Sequence, residues 1–181
     1  MLLFYSGQEE MSIVDFRPDF AIIRETSGTP IRIMIRPFAP GDLDRILEIE
    51  QQAFPKSPYP PPTFLHLHRL YPNTFWVHVG PDKAEGEREI FGYIVFSTGG
   101  HLLSLAIHPN HRRRGIATTL IRRALHALSG KKLWAEVRQS NQGALAFYLK
   151  VGFQIVGVLF NYYGGEDALL IEWIPPCPLK L

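Results

Sequence analysis

The sequence predicts one α/β (α+β) domain, in which helices cover both faces of a twisted, mixed and mostly antiparallel sheet of about seven strands. Its 181 residues fit one domain with a substantial core, and 46% apolar with 20% charged residues is typical of a globular protein. Short β-rich runs alternate along the chain with stretches of helical period. This alternation favours a mixed sheet packed between helices.

Residues 1–30 are predicted to form an arm that precedes the domain at residues 31–175. The arm mixes short apolar pieces with polar residues, closes on a turn-like Ser-Gly-Thr-Pro and carries no recognisable chemistry. Residues 176–181 are predicted to be a C-terminal tail. Three methionines are possible starts of the chain, namely Met1, Met11 and Met34.

The domain is predicted to begin with a strand at residues 31–36 and a helix that follows Pro40-Gly41-Asp42. The apolar residues of this helix share one face, namely Leu43, Ile46, Leu47, Ala53 and Phe54. Residues 55–62 contain five prolines, which predicts a rigid and irregular loop. A short helix is expected behind this loop, at residues 63–71.

The rest of the domain is predicted to contain an antiparallel meander followed by two helices and three further strands. The predicted elements are strands at 74–79, 90–97 and 102–107, a helix at 114–128, a strand at 132–137, a helix at 141–151, and strands at 153–160 and 167–173. Gly130 is the expected stop of the first of these helices. The predicted element order is β-α-α-β-β-β-α-β-α-β-β.

Charge and cysteine content exclude several classes of protein. Lysine and arginine number 19 against 17 acidic residues, and a net charge of +2 is too small for a dedicated nucleic-acid or polybasic membrane-binding protein. No apolar run approaches the ~20 residues that span a bilayer, and no signal-peptide pattern is recognisable. The single cysteine, Cys177, cannot form an internal disulfide, which favours a reducing compartment. We therefore expect a cytoplasmic protein that does not bind membranes.

Three consecutive arginines at residues 112–114 stand where a predicted strand leads into a helix. The first turn of a helix has backbone N–H groups without partners and about half a positive charge, which suits a phosphate group. Gly115 and Ala117 keep this turn small, and Thr118 adds a hydroxyl group. We interpret the turn as a diphosphate clamp, and the alternative is a solvated helix start. The Gly-x-Gly-x-x-Gly spacing of dinucleotide sites is absent.

A second group of polar residues lies on the predicted helix at 141–151. Asn141 and Tyr148 are seven residues apart, which places them within ~20° of each other around a helix and ~10 Å apart along it. The small Ala144 lies between them, so this face outlines a groove for a long, thin ligand. Alternatively, Tyr148 is a core residue with a satisfied hydroxyl group.

Glu136 lies in an otherwise apolar strand just before this helix. Partial burial there would make its carboxylate a stronger base. Alternatively, it is an edge-strand carboxylate that pairs with Arg138 or Arg112. His101 and His108 flank the same region in sequence, so one of them could assist a proton relay, and the alternative is that both are surface histidines.

Together these patterns resemble the GNAT superfamily of N-acetyltransferases over residues 31–174. The resemblance rests on a strand followed by Pro-Phe-x-x-x-Asp-Leu, on Ile-His-Pro-x-x-Arg-Arg-Arg-Gly-Ile-Ala at 107–117, and on Asn-x-x-Ala-x-x-x-Tyr-x-x-x-Gly-Phe at 141–153. Within the superfamily, Ala-Glu-Val-Arg-x-Ser-Asn at 135–141 and Asn-Tyr-Tyr-x-x-Glu-Asp-Ala-Leu at 161–169 are most similar to the RimI-type protein N-terminal acetyltransferases.

The resemblance implies acetyl-CoA as the cosubstrate and a V-shaped splay between the fourth and fifth core strands. The residues implied to contact the coenzyme are Leu105, Ala106, Ile107, Arg112, Arg113, Arg114, Gly115, Ile116, Ala117, Thr118, Asn141 and Tyr148. Glu136 corresponds to the proposed general base of the RimI type, and Tyr148 to the general acid that protonates the leaving thiolate. The residues implied to flank the acceptor are Phe54, Pro55, Tyr59, Tyr162 and Tyr163. Ala117 replaces a commoner glycine of the family.

An α-amine at a protein or peptide N-terminus is the expected acceptor, as in the RimI type. Its reference pKa is near 7.8 and that of a lysine side chain is ~10.4, so deprotonation at neutral pH costs about 3.5 kcal/mol less. The reaction requires neither a covalent enzyme intermediate nor a metal ion. The histidine pairs that suggest a metal site, His66 with His68 and His108 with His111, lack ligand partners at suitable sequence spacing.

Two other functions stay open at this point. One is a GNAT acetyltransferase for a small amine such as a polyamine or an antibiotic. The other is a non-catalytic module that binds acyl-CoA or nucleic acid through the arginines at 112–114 and 122–123. A monomer or a homodimer is expected in each case.

Overall fold

The computed structural model describes the backbone of residues 12–17, 20–24, 30–80 and 89–175, and side chains within those ranges from Met34 onward. The strands are β1 (Ser12–Arg17), β2 (Phe20–Arg24), β3 (Pro30–Pro37), β4 (Phe75–Val79), β5 (Ile90–Phe96), β6 (Leu102–Ile107), β7 (Leu133–Arg138), β8 (Gln154–Leu159) and β9 (Ala168–Trp173). The helices are α1 (Leu43–Ala53), α2 (Pro61–Leu70), α3 (Ile116–Ala127) and α4 (Gln142–Lys150). Short 3-10 turns, Pro40–Asp42 and Pro109–His111, precede α1 and α3.

The strands form two antiparallel sheets. One has six strands in the order β1-β2-β3-β4-β5-β6, and the other has three in the order β7-β9-β8. From β3 onward, the order of helices and strands is the predicted one. The predicted α/β class with mostly antiparallel pairing is therefore confirmed, but in the described residues the strands form two sheets instead of one mixed sheet of about seven strands, because β6 and β7 diverge.

The predicted arm contributes two strands that its sequence did not indicate. β1 and β2 form an antiparallel hairpin, and β2 pairs with β3, with Ala21 opposite Ile33. A two-stranded hairpin is marginal alone, so its pairing with a third strand is a tertiary effect. Residues 1–11 and 176–181, with Cys177 and two of the three candidate start methionines, lie outside the described residues.

Helices cover both faces of the larger sheet, as predicted, because alternate residues of β4 and β5 point to opposite sides. On one side, α1 and α2 cover a cluster that includes Ile46, Ile49, Phe64, Phe75, Val77, Val79, Tyr93 and Val95. On the other side, α3 and α4 cover a cluster that includes Trp76, Ile94, Phe96, Leu120, Ile121, Ala124, Leu133 and Tyr148. In the described part of the chain, no helix has the length and apolar character needed to cross a membrane.

The proline-rich segment differs from the prediction at its end. Residues 55–60 are irregular, but Pro61 and Pro62 form the first turn of α2. The prediction that residues 55–62 contain no regular structure was therefore wrong at these two positions. Proline is tolerated in a first helical turn because the N–H groups there have no partner within the helix.

β6 and β7 meet at one end only, and the wedge between them is here called the splay. His101 and Trp134 form an isolated parallel bridge, and the Trp134 N–H donates to the Gly100 carbonyl at 2.8 Å. Gly100 has a φ of +85°, and a Cβ atom there would lie 2.0 Å from the carbonyl oxygen of Lys132. This close approach between the segments before β6 and β7 therefore requires glycine at position 100. Beyond it, β6 pairs with β5 and β7 pairs with β9, which confirms the predicted splay.

Candidate active site

β7 directs alternate side chains to the two faces of its sheet, one of which is buried in the core. Leu133, Ala135 and Val137 are buried, and the residues between them are half-buried. This period of two follows from the pleat of a strand. It places Glu136 and Arg138 on the face that borders the splay.

Glu136 is paired with a histidine from the other side of the splay. His101 Nε2 lies 2.8 Å from Glu136 Oε2, and the His101 ring stacks on Trp134 with a centroid distance of 3.9 Å. The side chain of Glu136 is 14% exposed and that of His101 is 28% exposed. The alternative pairing of Glu136 with Arg138 or Arg112 was wrong, and so was the interpretation of His101 as a solvated surface histidine.

Three tyrosines predicted to flank the acceptor surround Glu136. The Tyr163 hydroxyl donates to the Glu136 carbonyl at 3.1 Å, and the rings of Tyr162 and Tyr163 pack edge to face at 5.0 Å. Burial, followed by the charge of Glu136, raises the pKa of Tyr163 to about 12 and raises the pKa of Tyr162. Burial also raises the pKa of Tyr59, with smaller contributions from Glu50 and Glu136. All three phenols therefore stay protonated at neutral pH and can donate hydrogen bonds.

Tyr148 lies at the inner end of this group. It is 8% exposed, and its ring packs against Phe147 at 5.2 Å and Phe153 at 5.1 Å. Burial, with a smaller contribution from Tyr163, raises its pKa, so the phenol keeps its proton at neutral pH. Tyr148 thus belongs to the core, as one interpretation of the sequence had it, and also lies close to the tyrosines around Glu136.

The two remaining residues predicted to flank the acceptor are placed differently. Phe54 follows α1 and packs partly against the core beneath α1 and α2, while Pro55 is exposed. Both belong to residues 54–60, here called the acceptor loop. Within this loop, Tyr59 is near enough to Glu136 for the charge of that carboxylate to contribute to raising the tyrosine pKa, after burial and Glu50.

β6 presents alternate backbone groups to the splay. The His108 N–H donates to the Phe91 carbonyl at 2.9 Å, which orients the antiparallel pairing at this end of the strand. Because backbone groups alternate in direction along such a pair, those of Ala106 point to β5 and those of Leu105 and Ile107 point away from it. Of the three residues predicted to bond the coenzyme through their backbone, two face the splay and Ala106 does not.

The turn before α3 has the backbone geometry of an anion site. Gly115 is the N-cap with a φ of +73° and no side-chain cap, and Arg113 also has a positive φ, of 64°. The first bond of the helix runs from the Thr119 N–H to the Gly115 carbonyl at 2.9 Å, so the N–H groups of residues 116–118 have no partner within the helix. No acidic residue occupies the first turn. The turn therefore fits a phosphate group.

The side chains of this turn have different surroundings. The arginines at 112–114 are exposed, and the first of them donates through Nε to the Ile107 carbonyl at 3.2 Å. Ile116 is 4% exposed and belongs to the core, so only its backbone can meet a ligand. Ala117 and Thr118 are half-buried.

Asn141 is the N-cap of α4 rather than a residue within the helix. Its Oδ1 accepts a hydrogen bond from the Ala144 N–H at 3.1 Å, and its side chain is exposed. Since Tyr148 is buried, the two residues do not share one exposed face, as their spacing had suggested. Capping leaves the amide NH₂ group of Asn141 for any ligand contact.

Arg138 connects three parts of the site, which the sequence did not indicate. Its Nη1 lies 3.1 Å from Glu166, its guanidinium lies 4.0 Å from the centre of the Tyr163 ring, and its Nη2 lies 3.5 Å from Ser57 of the acceptor loop. Glu166 also accepts from the Ser140 N–H at 2.9 Å. The available signal was the spacing of two residues from Glu136, which places both side chains on one face of β7.

The histidines considered as metal ligands lie apart from this site. His108 lies 3.6 Å from Glu48, and His111 lies 3.5 Å from Glu89 and stacks on Phe91 at 3.7 Å. Within the described ranges, no group of three or more His, Cys, Asp or Glu residues is arranged to hold a metal ion.

Known proteins resemble the chain in sequence. The model of the acetyltransferase (GNAT) family matches residues 43–153. An uncharacterized N-acetyltransferase of Methanocaldococcus jannaschii is 37% identical over 147 residues, covering 77% of this chain and 90% of the relative. An N-alpha-acetyltransferase of Sulfurisphaera tokodaii is 34% identical over 150 residues, covering 72% and 86%. The N-alpha-acetyltransferase RimI of Mycobacterium tuberculosis is 32% identical over 138 residues, covering 71% and 84%.

The fold is also that of a solved relative. The crystal structure of Ard1 from Thermoplasma volcanium has a TM-score of 0.68 and 29% identity, with 78% of this chain and 97% of that one covered. The predicted resemblance to the GNAT superfamily and its RimI-like members is thereby confirmed. The chain belongs to the GNAT family of acetyltransferases.

Proposed function

We propose that the protein transfers the acetyl group of acetyl-CoA to the α-amine of a protein or peptide N-terminus. The observation that carries this proposal is Glu136, paired with His101 and surrounded by three protonated tyrosines beside the splay. The names of two of the relatives, which are N-alpha-acetyltransferases, support it.

The splay and the turn before α3 fit the two ends of acetyl-CoA. The free N–H groups of residues 116–118 and the exposed arginines at 112–114 would hold the pyrophosphate. The backbone groups of Leu105 and Ile107 that point into the splay would hold the pantetheine arm, with the amide of Asn141 beside it. Bound acetyl-CoA supplies the thioester carbonyl that an amine can attack.

Glu136 and His101 would take the proton that the incoming amine must lose. A general base has to lie within hydrogen-bond reach of that proton or be connected to it through a water molecule. The pair spans the splay and is partly solvent-accessible, so a proton can pass from it to solvent. An α-amine suits such a weak base better than a lysine side chain, because it loses its proton more readily.

Tyr148 would return a proton to the leaving sulfur. Its buried phenol is protonated at neutral pH, as a general acid must be. The core packing of its ring against Phe147 and Phe153 holds the hydroxyl in one orientation. This packing positions the general acid, and the proposed transfer from thioester to amine is direct, without a covalent enzyme intermediate.

Tyr59, Tyr162 and Tyr163 would line the entry of the acceptor chain. A phenol can donate to a carbonyl oxygen of a peptide, and the Tyr163 oxygen, whose proton is donated to Glu136, can accept from a peptide N–H; small amines lack the peptide group. A nucleic-acid-binding module has less support, because Arg123, one of the arginines considered for it, lies over the Trp76 ring at 5.0 Å.

We propose the cytoplasm as the compartment and a monomer or homodimer as the assembly.

A panel of acceptors tests the proposal. Purified protein with acetyl-CoA is offered short peptides that differ in their first residue, the same peptides with blocked N-termini and an internal lysine, and polyamines. Turnover is expected with free N-termini and is expected to be at least about tenfold lower with the others, given the difference in amine pKa. Turnover of polyamines alone, or binding of RNA without binding of acetyl-CoA, would overturn the proposal.

A further inference from the structure

Glu50 is a buried carboxylate in the apolar face of α1. It is 2% exposed, and it follows Ile46 by four residues and Ile49 by one. Burial raises its pKa, while hydrogen bonds from Tyr93 and Tyr59 lower it. A buried carboxylate costs free energy unless it is hydrogen-bonded, so its partners indicate its role.

The carboxylate of Glu50 has two hydrogen-bond partners, and through the second of them it is connected to a third element. One carboxylate oxygen accepts from the backbone N–H of Tyr59 at 2.9 Å. The other accepts from the hydroxyl of Tyr93 in β5. The Tyr93 hydroxyl in turn lies 3.0 Å from the Ser104 hydroxyl in β6, and both groups are buried.

This network connects the side of the site that would take the acceptor with the side that would take the coenzyme. Ser104 immediately precedes Leu105, whose backbone points into the splay. At the other end, Tyr59 belongs to the acceptor loop, and its ring interacts electrostatically with Glu136 and Tyr162. A displacement of Glu50 would therefore move the acceptor loop relative to the strand that borders the coenzyme.

The composition of the acceptor loop makes the Glu50 contact important. Three of its positions are prolines, which have no N–H group to donate. The Ser57 N–H bonds back to the Phe54 carbonyl within the loop at 3.1 Å. At the start of the loop, the Phe54 N–H donates to the backbone carbonyl of Glu50 at 2.8 Å, and further along the Tyr59 N–H donates to the buried Glu50 carboxylate.

We infer that Glu50 is a positioning residue, which sets the acceptor loop at the distance from β6 that the incoming N-terminus requires. The inference rests on the proposed function, because it assigns the loop to a peptide acceptor. Glu50 makes no contact with Glu136 or Tyr148 among the described residues, so it acts through Tyr59 rather than on the reacting atoms.

Steady-state kinetics of Glu50→Ala and Glu50→Gln test the inference. The alanine variant is expected to raise the KM for the best peptide at least about tenfold, the size of one lost hydrogen bond to a charged group. Its KM for acetyl-CoA is expected to stay within about twofold. The glutamine variant is expected to recover most of the peptide affinity, because an amide can accept from Tyr59 and donate to the Tyr93 oxygen.

Hydrogen exchange of the acceptor loop supplies a second readout. The Tyr59 amide is expected to exchange faster in Glu50→Ala than in the wild type. Glu48→Ala is the matched control, because Glu48 is on the same helix but its side chain is 48% exposed and does not contact the loop. If Glu50→Ala does not fold, Glu50→Asp, shorter by one methylene group, is expected to give the same separation of the two KM values.

The outcomes separate the two proposals. A wild type that acetylates no peptide contradicts the proposed function, and unchanged Tyr59 exchange in Glu50→Ala then contradicts the inference as well. A wild-type enzyme active on peptides, with an alanine variant whose peptide KM is unchanged, overturns the inference alone. Equal losses toward both substrates without recovery by glutamine also overturn it, since they indicate a general defect of folding.

Discussion

His101 Nε2 and Glu136 Oε2 lie 2.8 Å apart, and this contact joins β6 and β7 across the splay. His101 also forms the isolated bridge with Trp134, two residues before Glu136, where the strands begin to separate. The same structural feature thus separates the two strands and places the pair of Glu136 and His101 where they part. Five expectations follow from this geometry and from the buried groups around it.

Glu136→Gln is expected to lower kcat by about a hundredfold or more, because a general base contributes rate factors of this order. Acetyl-CoA affinity, measured by calorimetry, is expected to change less than about twofold. His101→Gln is expected to lower kcat as well, and the double variant is expected to lose less than the product of the two effects, since coupled residues are not additive. Glu172→Gln on β9 is a control, and unchanged turnover in Glu136→Gln would remove the assignment.

Tyr148→Phe is expected to lower kcat by about tenfold or more, because it removes the proton donor while keeping the ring. Since burial raises the pKa of Tyr148, wild-type activity is expected to show no loss from deprotonation of this phenol up to pH ~10. Phe153→Leu disturbs the packing of the Tyr148 ring but leaves its hydroxyl group, so it separates the effect of ring orientation from that of proton donation. A kcat for Tyr148→Phe equal to that of the wild type would contradict the role of general acid.

Replacing Arg113 and Arg114 together by alanine is expected to weaken acetyl-CoA binding by about tenfold or more, because each charge-assisted hydrogen bond contributes on the order of 1.5–3 kcal/mol. The difference from the wild type is expected to shrink as salt is added. Arg69→Ala, an exposed arginine at the end of α2, is the matched control. Equal affinities of the double variant and the control would show that the turn does not bind the pyrophosphate.

Gly100→Ala and Gly130→Ala separate two costs of adding a Cβ atom. Both glycines have a positive φ, but a Cβ at Gly130 meets no atom within 4 Å, while one at Gly100 meets the Lys132 carbonyl at 2.0 Å. Gly130→Ala is expected to cost about 1 kcal/mol of unfolding free energy. Gly100→Ala is expected to cost more than about 3 kcal/mol, as severe backbone clashes do, and to lower turnover. Urea unfolding of both variants measures the difference, and equal losses would contradict the proposed contact.

Buried His78 is expected to make the protein less stable in mild acid. Burial lowers its pKa to about 4 from the ordinary 6.5, with a smaller effect of His111. Between these values the unfolded chain binds a proton that the folded chain does not, so stability is complete above pH ~6.5 and falls as the pH falls toward ~4. The loss is about 2 kcal/mol between pH 7 and pH 5.

Unfolding of wild type and His78→Leu at both pH values isolates this contribution. The leucine variant is expected to lose less stability on acidification by that amount, whatever its stability at pH 7. Parallel losses in the two proteins would mean that His78 titrates normally in the folded state.

Much of the fold follows from local patterns. Apolar residues at a period of 3.6 mark α1 and α3, and Gly130 has the positive φ expected beyond the end of a helix. The strands from β4 to β9 lie within one or two residues of their predicted bounds, because strand composition and turn residues are local signals. β1 and β2 were not predicted, and their place in the sheet depends on pairing of β1 with β2 and of β2 with β3.

The candidate site was only partly predictable. Glu136, Tyr148 and the turn before α3 are recognisable because each belongs to a short motif of fixed spacing. The sequence suggested Arg138 or Arg112 as the partner of Glu136, whereas the structure pairs it with His101, 35 residues earlier in the chain. Glu50 lies at helical spacing within an apolar stripe, which marks it as unusual but does not identify Tyr93 or Tyr59 as its partners.

The sequence by itself determined the order of elements from β3 onward, the acetyltransferase family and the chemical types of residue at the site, because these depend on composition and short-range spacing. Only the tertiary structure decided which groups meet: His101 with Glu136 across the splay, Glu50 with the acceptor loop, and Arg138 with Glu166. Each of these contacts depends on strand register and on a close approach such as that at Gly100. Register is a property of paired strands, so no single segment of the chain contains it.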